Sequence, residues 1–187
     1  MICIVGNRPV LQIGRHQVTG YGTQWLRDAI LRGAEAAQRD DFPFIDDLLE
    51  GILHYLENKC PLRVLTIEDL HARVRRMLER IGCDAIAQTL PLLAPPVTLS
   101  LSRAAKEAGN GFELIFFNQI HDEIEDLRRH GVEVLHFTGT RDCVKMLRGV
   151  NRWSTPCEQL HEEILSFLKT HGPSSLPNAR EIMLDLT

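Results

Sequence analysis

The chain reads as an α+β protein: an N-terminal β-hairpin with a helical bundle, followed by a small α/β unit. Three observations predict this. Short β-prone runs flank turn residues near the start. Apolar stripes at helical spacing then dominate as far as Leu90. Beyond a proline cluster (Pro91, Pro95 and Pro96), strand-like and helix-like segments alternate. The expected organisation is one domain over 1–92, a second over 97–171, and a tail over 172–187.

The first elements follow from local chemistry. Ile2–Val5 and Val10–Ile13 are apolar runs on either side of Gly6-Asn7-Arg8-Pro9, the composition of a hairpin turn. Gly14–Gly22, with its three glycines, reads as irregular. Thr23 then caps a helix to about Gln38 that carries Trp25, Leu26, Ala29, Ile30 and Ala37 on one side. A second helix, Pro43 to about Asn58, sets Phe44, Ile45, Leu48, Leu49, Ile52, Leu53 and Leu56 inward, with Asp46 and Asp47 at its positive dipole end.

The best-defined stretch is Val64–Leu90. Thr66 precedes Asp69 at capping-box spacing, and Ile67, Leu70, Val74, Met77, Leu78 and Ile81 build one stripe. Gly82 suits a left-handed stop, and Asp84 caps a short following helix. In the second domain, Val97–Leu101, Phe112–Phe117 and Val132–Thr138 read as strands. Asp122–His130, Thr140–Leu147 and Pro156–Thr170 read as helices, and Arg103–Gly111 as a partly helical connection ending in a turn. Glu181–Leu186 adds an edge strand.

Composition narrows the classes. A net charge of −4 leaves no basic surplus to replace counterions along a phosphate backbone, so no nucleic-acid partner is expected. No apolar run approaches the ~18 residues of a membrane span, and no secretory leader is visible, so no membrane partner is expected either. Five scattered cysteines, odd in number and never as CxxC, favour reduced thiols, a cytoplasmic location and no metal site.

The pattern Leu65-Thr66-Ile67-Glu68-Asp69-Leu70, an apolar helix, then Ile81-Gly82-Cys83 and Ala85-Ile86-Ala87 resembles the last two helices of an ATP-cone. That is the small nucleotide-binding regulatory domain found on ribonucleotide reductases and some transcriptional repressors. The hairpin and two helices before it stand in the same order, so the resemblance covers the first half of the chain. It implies an adenine nucleotide, ATP or dATP with magnesium, and a regulatory protein that self-associates through its helical half.

ATP-cones hold the nucleotide between a hairpin carrying Val-x-Lys-Arg-Asp/Asn-Gly and a first helix beginning with Lys-Ile. Here Asn7 and Arg8 fall on the expected turn, the Lys-Arg pair is absent, and Trp25-Leu26 stands where Lys-Ile would be. Arg8 and Arg15 are the cations to test. Gly20, Gly22 and Thr23, leading into a helix, offer backbone N–H groups to an anion, and Tyr21 and Trp25 offer rings to a base. The same residues are equally what an ordinary N-cap and a small core require.

A second candidate site lies in the second domain. If Phe112–Phe117 and Val132–Thr138 are parallel strands, the loops Asn118–Asp122 and Thr138–Asp142 meet at their carboxyl ends. Thr138, Thr140 and Arg141 suit a phosphate or carboxylate, and His121 is the proton-transfer candidate. Against this, Thr140 is also a plain N-cap and His121 an exposed helix residue. Two alternatives to the regulatory reading therefore stand: a small enzyme acting on a phosphorylated or carboxylated metabolite, and a structural or adaptor module without a ligand. No catalytic motif favours the enzyme.

Overall fold

The computed structural model describes residues 8–39, 42–172 and 183–184. Among them are eight α-helices and six short strands, an α+β fold in two compact units, Met1–Pro95 and Pro96–Thr187.

The first unit is built on a three-stranded sheet of order β2-β1-β3. β1 (Val10–Ile13) and β2 (His16–Val18) form an antiparallel hairpin in the register Leu11↔Val18 and Ile13↔His16. Gly14 takes φ 54° between them, a value that costs glycine little, and so closes a two-residue turn. Gly14–Gly22, expected to be irregular, thus contributes a strand, and the expected hairpin partner Ile2–Val5 lies, with Gly6 and Asn7, outside the described residues. Alternation buries Leu11 and Ile13 completely.

α1 (Gln24–Ala36) and α2 (Ile45–Asn58) follow as expected, the latter two residues inside Pro43. β3 (Val64–Thr66) was not foreseen; it pairs parallel with β1 and runs directly into α3 (Ile67–Arg80). Thr66 ends the strand and caps the helix, its Oγ1 accepting a 3.1 Å bond from the Asp69 N–H. Gly82, at φ 80°, terminates α3, and α4 (Asp84–Thr89) starts with Asp84 inside the helix and Cys83 at its N-cap. α1 and α4 pack closely where Gly33 has no side chain. A Cβ there would lie 3.3 Å from the Leu90 backbone, and the Thr89 hydroxyl donates to the Gly33 carbonyl at 2.7 Å.

The second unit holds a sheet of order β4-β5-β6. β4 (Val97–Ser100) and β5 (Leu135–Thr138) are parallel, and β6 (Met183–Leu184) adds a third parallel strand at the edge. The connection from β4 to β5 is two helices, α5 (Leu101–Ala108) and α6 (Glu113–Arg129). Phe112–Phe117 is therefore no strand but the start of α6. Phe116, Ile120, Ile124 and Leu127 are buried at helical spacing, while Leu114 is 81% exposed, so the apolar run never had one buried face. α7 (Thr140–Arg148) and α8 (Thr155–His171) complete the unit. No helix among the described residues is long and apolar enough to cross a membrane.

Candidate functional site

The expected nucleotide surface in the first unit is occupied by structural bonds. The Arg8 guanidinium pairs with Glu57 on α2 at 2.8 Å and donates to the Tyr21 carbonyl at 3.3 Å. Tyr21 is buried, and its hydroxyl donates to the Pro9 carbonyl at 3.0 Å. Burial pushes the phenol up to about 12, against a smaller opposing pull from the Arg8 charge. Tyr21 is thus a core residue rather than a ring presented to a base. The Trp25 indole N–H donates to the Gly22 carbonyl at 2.8 Å.

Thr23 sits at the N-cap of α1, but its side chain makes no cap bond; its carbonyl starts the helix, accepting from the Leu26 and Arg27 N–H groups. Gly20 takes φ 63°, and Gly22 has open space where a side chain would stand. Arg15 is exposed on the hairpin turn. On the strand leading into that turn stand Gln12 and the fully buried Ile13, neither a cation.

The second candidate site is rearranged. Because 113–129 is one helix, His121 lies within α6 and not on a loop at the sheet's carboxyl edge. Its ring meets that of His171 edge-on, centroids 5.4 Å apart, and its Nδ1 lies 3.7 Å from Asp122. The segment that joins Thr138 at the carboxyl edge is instead Ser100–Ser102, since β4 and β5 pair Ser100 with Thr138. There Ser100 Oγ lies 3.0 Å from Ser102 Oγ, and a Cβ on Gly139 would come within 2.8 Å of the same Ser102 oxygen. Thr140 is buried, and the Arg141 guanidinium lies over the Trp153 ring, 4.7 Å from its centroid. Ser100, Ser102 and Arg141 therefore stand near that edge, and the proton-transfer candidate expected there lies on α6.

A further concavity was not foreseen. A groove of about 790 Å³ opens on the first unit, lined by Phe42, Phe44, Leu48, Met77 and Ile81, with Gly51 and Cys83 among them. Its volume lies in the range of ligand pockets. Two of its residues correct the helical stripes read from sequence: Phe44 is 59% and Ile81 58% exposed. Arg39 and Asp47 are the charged residues of the lining. The one signal available in the sequence was Gly51, a glycine inside an otherwise well-patterned helix. Among the described residues no three His, Cys, Asp or Glu side chains group as metal ligands.

Comparison of the chain with family models, with curated proteins and with solved structures produced no match.

Proposed function

We propose that this chain is a regulatory protein whose N-terminal unit follows the ATP-cone plan but has lost the clamp for a nucleotide's phosphates. The order hairpin, two helices, a third strand and two further helices supports the plan. The observation that carries the loss is the hairpin itself: Gln12 and buried Ile13 precede the turn, and Arg8 is tied to Glu57 and to the Tyr21 carbonyl. A triphosphate needs cations that are free to converge on it, and charge-assisted contacts are the strong ones. The residues present fit that group poorly. Regulation then rests on what the unit binds through its surface.

Equilibrium dialysis of the whole chain against ATP or dATP with magnesium tests this. The expected result is no retention at millimolar nucleotide. Saturable retention at one site per chain would contradict it.

A further inference from the structure

We infer that the start of α7, at the carboxyl edge of the second unit's sheet, binds the carboxylate of a small organic acid. The donors are the Thr140 hydroxyl, the first-turn N–H groups of α7 and the Arg141 guanidinium.

Thr140 carries the inference. It is the one polar side chain buried among the described residues, at 3% exposure, and its hydroxyl has no hydrogen-bond partner there. An enclosed hydroxyl without a partner costs stability, and valine has the same shape without that cost. Thr140 heads the buried stripe of α7 that continues through Cys143, Val144 and Leu147. Side chains of a helix lean toward its N-terminus, so this hydroxyl is directed at the mouth of α7 and not into the core below.

The backbone at that mouth is open as well. Gly139 is the N-cap, at φ 73°, and supplies no side chain to the first-turn N–H groups. A cap residue could not replace it, because a Cβ there would lie 2.8 Å from the Ser102 Oγ. Arg141 follows, exposed and without an ion pair among the described residues. Its guanidinium rests on the Trp153 ring, and the Trp153 indole N–H is itself held by the Glu158 carboxylate. Stacking engages the face of the guanidinium and leaves the N–H donors on its edge for a planar, bidentate acceptor.

Charge selects the ligand. Asp142 stands exposed in the same first turn, and the nearby Arg103 is already shared between Glu107 and Glu123. One unpaired cation against one carboxylate suits a monoanion. A phosphate group, carrying a charge of about −1.5 to −2, would meet the repulsion of Asp142 without a second cation to offset it.

Amide chemical shifts of the whole chain, titrated with sodium acetate against sodium chloride at equal ionic strength, test this. The expected result is saturable movement of the Gly139–Asp142 signals with acetate and none with chloride. Thr140→Val should weaken acetate binding about tenfold while leaving the thermal unfolding midpoint unchanged or higher. Arg141→Gln should weaken it to a similar degree, and Arg141→Lys should restore only part, since an ammonium cannot bind in bidentate fashion. Asp142→Asn should tighten it about two- to fivefold, a gain that a damaged fold cannot produce. No saturable movement with acetate overturns the inference, as does a Thr140→Val variant that binds as the parent does. Inorganic phosphate moving the same signals at lower concentration than acetate overturns the choice of a carboxylate. The site belongs to the second unit, so retention of a nucleotide by the first would leave it untouched.

Discussion

At the residue scale, Tyr21 joins the hairpin to the start of α1. Its hydroxyl meets the Pro9 carbonyl, and its own carbonyl holds Arg8. Tyr21→Phe removes the donor and leaves a buried carbonyl without it, at a cost of about 1–2 kcal/mol in denaturant unfolding. The folded chain holds the phenolic proton up to about 12, against 10.0 for a free phenol. Its contribution is therefore intact below pH 10 and is lost as pH rises towards 12. The Phe variant should lose less stability than the parent across that window. Thiols give a second residue-level test. Cys143 and Cys157 are fully buried, and burial alone pushes the Cys143 thiol up to about 12, whereas Cys60 and Cys83 are part exposed. Alkylation followed by mass spectrometry should label Cys60 and Cys83 in the native chain, and Cys143 and Cys157 only after unfolding.

At the element scale, Thr66 is the joint between a sheet and a helix. Thr66→Ala should cost about 1 kcal/mol through the lost cap, with Thr66→Ser largely restoring it, both read by chemical denaturation. This junction was legible in the sequence because capping chemistry and a helical stripe are local signals. β3 was not, because a three-residue strand has no periodicity to read and owes its existence to β1 alongside it. β2, inside the glycine-rich Gly14–Gly22 segment, was missed for a related reason: glycines mark turns without saying which flanking runs will pair. In α6 the apolar cluster Phe112–Phe117 imitated a strand, and only the continuation to Ile124 and Leu127 identifies its period as helical. That error carried the second candidate site with it, since His121 was placed at a sheet edge by a strand that does not exist. The groove was hidden more deeply. Phe44 and Ile81 obey the helical pattern, and nothing local says that the fold leaves them uncovered.

At the scale of the whole molecule, the chain has two units, each with its own small sheet and its own buried core. The first carries the groove and the tied-up cation; the second is built on a parallel sheet with Ser100, Ser102 and Gly139 close together at its carboxyl edge. The central claim is that the first unit regulates without a nucleotide. The thermal unfolding midpoint of the whole chain, with and without ATP, dATP, ADP and GTP in magnesium, tests it most directly. A ligand at about a hundred times its dissociation constant stabilises by roughly 2.7 kcal/mol, or several degrees in a chain of this size. The account predicts the same midpoint in every condition. A rise of several degrees confined to adenine nucleotides would contradict it and return Arg8 and Arg15 to a phosphate site.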